Sequence, residues 1–216
     1  VVDEIGRLQI FIGRGDGTFD EPDQTFDDLD TVEISGVAVA DFDGNGRDDL
    51  ALLEEFDGVY FLCNDGGTLQ ACPTAVVFLD EFSFELVDID LGDFDGDDNL
   101  DVAVVDFDTG ELYVIYGNGD GTFDELVEPI VVADENFEPR ALRVAQLGGD
   151  ARDDIAVLSS DLTSAEFAAV VTVLIASDGE PPFSRTDYPA GESGSALALA
   201  DFDADGNSDF MLVHGD

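Results

Sequence analysis

The chain has 216 residues, 44% of them hydrophobic, and a formal net charge of −45 from 52 acidic and 7 basic residues, all 7 of them arginine. Such a field excludes nucleic acid and anionic membrane surfaces as partners, and the recurring apolar runs exclude a disordered acidic tail. No apolar run is long enough to cross a bilayer as a helix, so no membrane insertion is expected, and the length suits one large all-β domain or two small ones.

Taken in chain order, the predicted elements repeat. An apolar run LQIFI (8–12) reads as a strand, followed by a Gly-rich hairpin turn, GRGDGTFDE (13–21). Next come a small-residue strand VAVA (37–40), the acidic loop DFDGNGRDD (41–49), and the strands LALL (50–53) and VYFL (59–62). Cys63 and Cys72 flank the turn-like segment NDGGTLQA. They can pair across a hairpin in an oxidising compartment, but spacing leaves two buried free thiols as the alternative. The grammar then restarts: VDIDLG (87–92), DFDGDDNLD (93–101), VAVV (102–105), LYVIY (112–116) and a second hairpin GNGDGTFDE (117–125). A third round runs LRVA (142–145), QLGGDARDD (146–154), IAVL (155–158), VVTVLI (170–175). A fourth begins with ALALA (196–200), DFDADGNSD (201–209) and FMLV (210–213).

The loops start at 41, 93, 146 and 201, a period of about 52 residues, which is the signature of a propeller, solenoid or array. The runs are too short for typical helices and are bounded by Asp, Gly and Asn, so each unit reads as four short strands with a small-residue strand innermost. The fold class expected is all-β, a β-propeller of four-stranded antiparallel blades. One domain over 1–216 divides into repeats 37–86, 87–141 and 142–195, with 196–216 and 1–36 sharing a blade. Val1–Val2 aligns with the end of a second strand, so strands one and two from 196–213 are expected to join strands three and four from 8–28. The alternative is a segment of a larger ring. Val1 opens the sequence with no recognisable leader, which reads as a mature product or an excised domain.

Each intact loop aligns oxygens at positions 1, 3, 5 and 9, with a backbone carbonyl able to serve from position 7. That is how a short loop wraps hard oxygen ligands around Ca²⁺. Position 12 is Leu52, Val104 or Leu212 where an EF-hand needs a bidentate acid, and the flanks are strands. The metal-free reading is a network of Asx turns. Mg²⁺ fits less well, because it keeps several waters.

The stretches ADFDGNGRDDLALL, GDFDGDDNLDVAVV and ADFDADGNSDFMLV, with the hairpins YGNGDGTF and IGRGDGTF, resemble FG-GAP/VCBS-type repeats over nearly the whole chain. The resemblance implies propeller blades with calcium between their first and second strands, as in integrin α-subunit propellers, in domains that are mostly extracellular. Carried over by position, it implies a first site of Asp41, Asp43, Asn45, the Arg47 carbonyl and Asp49. A second is Asp93, Asp95, Asp97, the Asn99 carbonyl and Asp101, and the last is Asp201, Asp203, Asp205, the Asn207 carbonyl and Asp209. In the worn loop Gln146 and Gly148 replace two carboxylates, leaving Asp150 and Asp154, so a fourth site is expected to be weak or empty.

Arg14-Gly15-Asp16 spells an adhesion tripeptide, but reads better as a hairpin turn that carries an arginine. Phe42, Phe94 and Phe202 are expected to face away from the metal and pack between blades. Catalysis is not expected: the sole histidine, His214, is terminal, acidic pairs are too abundant to single out a dyad, and there is no nucleotide loop. The expected partners are calcium and an extracellular protein or glycan. The absence of Trp and the strand positions of Tyr60, Tyr113 and Tyr116 lower the sugar-stacking reading. The surplus acid points to a salty or calcium-rich medium, halophilic or marine.

Overall fold

The computed structural model describes residues 8–20, 24–26, 34–54, 58–79, 85–124, 128–134, 136–161, 168–179, 182–192 and 194–214. The expectation for Val1–Val2 lies outside them. Among the described residues every regular element is a strand, and all pairing is antiparallel.

Three four-stranded meanders carry the fold. The first is β3 (Ile34–Ala40), β4 (Asp49–Glu54), β5 (Gly58–Asp65) and β6 (Thr68–Phe78); two strands precede it, β1 (Leu8–Ile10) and β2 (Gln24–Phe26). The second is β7 (Leu86–Gly92), β8 (Asp101–Asp106), β9 (Glu111–Ile115) and β10 (Ile130–Val131). The third is β11 (Glu138–Ala145), β12 (Asp154–Ser160), β13 (Ala168–Ala176) and β14 (Phe183–Glu192). A final pair, β15 (Gly194–Ala200) and β16 (Asp209–His214), repeats only the first half of the pattern.

Sheets stack face to face, and each junction is a separate apolar cluster. Leu8 packs on Leu52 and Leu69 of the first sheet. Phe42, Leu53 and Phe61 meet Val102, Val104 and Ile115 at the next junction. Val105, Leu112 and Val114 meet Ile155, Val157 and Leu174 at the one after, and Leu158 and Val171 meet Leu197 at the last. The second strands β8 and β12 are buried throughout because they are covered on both faces, which is why they read as unbroken apolar runs.

The first strands lie side by side from sheet to sheet, tied by polar contacts. Asp88 accepts the Leu142 N–H at 2.9 Å and pairs with Arg143 at 2.8 Å; Asp90 accepts the Val144 N–H at 2.9 Å. Ser35 donates to the Leu86 carbonyl. Gly92 permits the close approach: a Cβ there would stand 2.7 Å from Val144 Cγ1. Each first strand also carries a register shift at one equivalent place, between Ile34 and Gly36, Leu86 and Asp88, Pro139 and Ala141, and Gly194 and Ala196. Such a bulge bends the strand and sharpens its twist.

The structure departs from the sequence expectation in three places. The run LQIFI is a strand only over Leu8–Ile10, and Phe11 and Ile12 are exposed. The fourth strands, expected to be as short as the rest, are long in the first and third sheets, at 11 and 10 residues, and only 2 residues long in the second. The pairing expected between 196–213 and 8–28 is not made: among the described residues β1–β2 and β15–β16 are separate two-stranded sheets.

Candidate metal centres

The three intact acidic loops join β3 to β4, β7 to β8 and β15 to β16, and share one backbone course. Loop positions 4 and 6 are left-handed in all of them: Gly44 and Gly46, Gly96 and Asp98, Ala204 and Gly206. Gly suits such positions; Asp98 tolerates the region as Asp does, and Ala204 carries a steric cost. Side chains at positions 1, 3 and 5 curl inward to accept the loop's own amides. Asp41, Asp93 and Asp201 take the N–H groups of Asn45, Asp97 and Asp205. Those same groups are shared with Asp43, Asp95 and Asp203. Asn45, Asp97 and Asp205 accept in turn from Arg47, Asn99 and Asn207. These Asx turns preorganise the loop.

Position 9 anchors each loop. Buried Asp49 accepts Phe42 N at 2.8 Å and Asn64 N at 2.7 Å. Buried Asp101 accepts Phe94 N at 2.8 Å and Gly117 N at 2.9 Å. Asp154 accepts Leu147 N at 2.7 Å and Ala176 N at 2.8 Å. Each therefore ties the loop to the third strand or the segment just beyond it. Among the described residues Asp209 makes only the loop half of this pattern, from Phe202 N at 3.0 Å.

Carboxylates converge in each intact loop. Asp93, Asp95 and Asp101 bring oxygens within 4.8 Å of one another, as do Asp201, Asp203 and Asp209. In the first loop Asp43 and Asp49 converge with the Cys63 sulfur, which is bonded to Cys72 and is no thiolate. The expected ligands Asp41, Asp97 and Asp205 stand outside these groups, with Asp41 bonded to Asn45 and Gly46 amides and Asp97 to Asn99. Burial pushes Asp101 up to about 7, the carboxylates of Asp95 and Asp93 adding to it against the hydrogen bonds from Gly117 and Phe94. Burial also raises Asp95, helped by Asp97 and Asp93. A hard divalent cation would relieve that repulsion, and an all-oxygen set is the chemistry it takes.

The worn loop differs in kind. Asp150 and Asp154 are not brought together with a third acid among the described residues. Instead Arg152 stands 3.6 Å from Asp150, pairs with Asp178, and donates to the Asp95 carbonyl at 3.1 Å. A guanidinium here supplies the positive charge.

The loops also seal the junctions. Phe42 packs edge-on against Phe61 and Phe123, at 5.8 and 5.6 Å between ring centres, and Phe94 lies 6.1 Å from Phe183. Both are buried as expected. Phe202 is 53% exposed, because among the described residues no third strand stands beside β16 to receive it. The hairpin of the second sheet docks on the first loop, with Gly121 N donating to the Phe42 carbonyl. Cys63 and Cys72 are disulfide-bonded with Cα atoms 4.9 Å apart, so the free-thiol alternative falls. Asp16 of the RGD sequence accepts both the amide and the hydroxyl of Thr18, as Asp120 does from Thr122, and Arg14 pairs with Asp20. The tripeptide is thus built into the turn. Tyr113 is buried, and Tyr60 and Tyr116 pack on the clusters. Sequence reading missed Asp88 and Asp90; alternating acids in the inner strand VDIDLG were the available signal.

A family model for the FG-GAP-like repeat matches residues 1–52 and 93–157, more than half of the chain. The chain belongs to the FG-GAP-like repeat family. The matched stretches of this FG-GAP-like protein contain the first and second acidic loops and the worn one. No curated protein matches it.

Proposed function

We propose that this chain is a calcium-binding propeller module that works outside the cell, holding a protein or glycan partner on a scaffold its calcium ions stabilise. The observation that carries the reading is the convergence of carboxylates in three loops of one backbone course, each at a first-to-second strand turn. Ca²⁺ would be held by Asp43, Asp49 and the oxygens around them, by Asp93, Asp95 and Asp101, and by Asp201, Asp203 and Asp209. Its contribution there is charge cancellation and a fixed turn. The worn loop binds none. The disulfide supports an oxidising compartment. The sheet stacking supports a propeller, and joining β15–β16 to β1–β2, which are separate sheets among the described residues, would close it with four blades. We read no chemistry of its own into the chain. An accessory glycan-binding role beside a secreted carbohydrate-active enzyme is the second reading.

The test is thermal unfolding at fixed high NaCl, in EDTA and then in about 10 mM free Ca²⁺. Sites of the weak extracellular kind, with Kd near 10⁻⁴–10⁻³ M, would each add roughly 1.5–3 kcal/mol at that level. Three such sites raise the melting temperature by about 10 °C or more. An unchanged melting temperature, with structure lost only on removing salt, overturns the calcium reading.

A further inference from the structure

The worn loop lies against the second acidic loop, and three hydrogen bonds cross between them. The Asp153 amide donates to the Asp93 carbonyl at 2.8 Å, and the Asp153 carboxylate accepts the Asp93 N–H at 3.1 Å. Arg152 Nε donates to the Asp95 carbonyl at 3.1 Å. Two glycines make room for this approach. A Cβ at Gly92 would stand 2.8 Å from Asp153 Cβ, and one at Gly96 would stand 3.1 Å from Arg152 Nε.

The crossing bonds fall on the backbone of two converging acids. Asp93 and Asp95 are the less buried members of the second trio. The third, Asp101, is buried and already held by Phe94 N and Gly117 N. With the bridge in place, all three carboxylates of the second centre stand on anchored backbone. Among the described residues the loop at 201–209 has no such support, because every hydrogen bond to its acids comes from the loop itself.

Charge and geometry act in opposite directions here, which makes them separable. A guanidinium beside a cation centre opposes the cation by like-charge repulsion. Arg152 also pairs with Asp178 and stands 3.6 Å from Asp150, so much of that charge is already cancelled. What remains is its hold on the Asp95 peptide group. A loop ordered before the ion arrives does not have to be ordered on binding, and partners that orient a metal's ligands are worth about 10–100-fold in affinity.

We propose that Arg152 and Asp153 are positioning residues for the second metal centre: the worn loop has exchanged a cation of its own for a bridge that preorganises Asp93 and Asp95 of its neighbour. The proposal rests on the calcium reading above and adds an order among the centres, the one at 93–101 being tighter than the one at 201–209.

The test is a Ca²⁺ titration of the isotope-labelled chain in high NaCl, followed by nuclear magnetic resonance at three equivalent loop amides. Gly46, Asp98 and Gly206 donate to the first acid of their own loop, Asp41, Asp93 and Asp201, so each reports one centre. In the parent, Asp98 is expected to saturate at lower Ca²⁺ than Gly206. Arg152→Ala should weaken the Asp98 response about tenfold and leave Gly46 and Gly206 within about twofold. Asp153→Ala should do the same, whereas Asp153→Asn, which keeps an oxygen for the Asp93 N–H, should stay within about threefold of the parent. In EDTA the ¹⁵N order parameter of Asp98 should fall in both alanine variants, while those of Gly46 and Gly206 hold; a general loss of stability would not single out this loop. The proposal is overturned if Arg152→Ala leaves the second centre unchanged, or tightens it as charge alone would, or if all three responses weaken together. Should the variants fail to fold, the parent decides, since Gly206 saturating at or before Asp98 overturns the proposal as well. If no loop amide of the parent responds to Ca²⁺, the calcium reading falls and the proposal with it; three responses indifferent to Arg152 leave that reading standing and sink the proposal alone.

Discussion

Ala204 holds a left-handed backbone, φ 62°, at the loop position where the other two intact loops have Gly44 and Gly96. An L-residue with a Cβ pays about 1–2 kcal/mol there, part of which glycine returns by loosening the unfolded chain. Ala204→Gly is therefore expected to stabilise by roughly 0.5–1 kcal/mol in EDTA, read by chemical denaturation. Gly44→Ala should destabilise, since its Cβ would also stand 3.3 Å from the Gly119 carbonyl. At the far end of the second strand, buried Asp106 accepts from the amides of Asp108 and Thr109 through one oxygen, and the other oxygen has no partner among the described residues. Burial above all, with Asp108 adding, raises its pKa against those hydrogen bonds. The folded state therefore holds the proton more tightly than the unfolded chain. Its stability contribution is present below the unfolded carboxylate value, about 4, and is lost as pH rises to the folded value. Asp106→Asn keeps both accepted bonds and removes the loss. Its melting temperature should exceed the parent's by a few degrees at pH 7, and the gap should close below about pH 4. A constant gap across that range would refute the assignment.

At the scale of the element, the loops were the most legible feature because their ligand types, spacing and period are all local. The positions of DFDGDDNLD map one-to-one onto a turn whose amides point at its own carboxylates. What the pattern did not show was which acids converge. Asp97 and Asp205 match the motif, yet hold Asn99 and Asn207 and stand outside the converging groups, while Asp93 and Asp201 serve both roles. The bulges in the first strands were illegible because no residue type marks them, and the Asp88 and Asp90 links to β11 depend on how two sheets approach. The convergence gives a prediction by loop. Asp95 accepts one loop amide, from Asp97, so Asp95→Asn preserves the turn and removes a charge. Calorimetric titration should then lose one of three calcium equivalents, or weaken it at least tenfold, with the melting temperature in EDTA unchanged or higher. Asp150→Asn should leave the number of equivalents at the parent's value, because Arg152 already neutralises that loop. A drop with Asp150→Asn would mean the worn loop binds metal after all.

At the scale of the whole molecule, two half-sheets carry complementary defects. Among the described residues β16 pairs with β15 alone, Asp209 lacks the third-strand amide that Asp49, Asp101 and Asp154 receive, and Met211 and Val213 are 51% and 55% exposed. At the other end β1 supplies a third strand, and Val37 and Val39 of β3, 51% and 52% exposed, face the place where a further inner pair would lie. Exposed edges and apolar faces of this kind are liabilities that closure removes. The repeat fixes the register: Ala103 pairs with Val114, so Met211 would stand opposite Ile10, and Gly13 would give Asp209 the amide that Gly117 gives Asp101. Ile10→Cys with Met211→Cys places two thiols across that seam, while the only native cysteines are already bonded to each other. Oxidised at low protein concentration in Ca²⁺, the double variant should form one intramolecular disulfide, seen as a monomer of altered mobility on non-reducing gels. It should also melt about 5 °C or more above either single variant with Cys63–Cys72 intact, because the bond closes nearly the whole chain into a loop. Covalent dimers would mean that copies complete each other's half-sheets, and no bond at all would mean that the two halves await strands from elsewhere; either result rules out a ring of four.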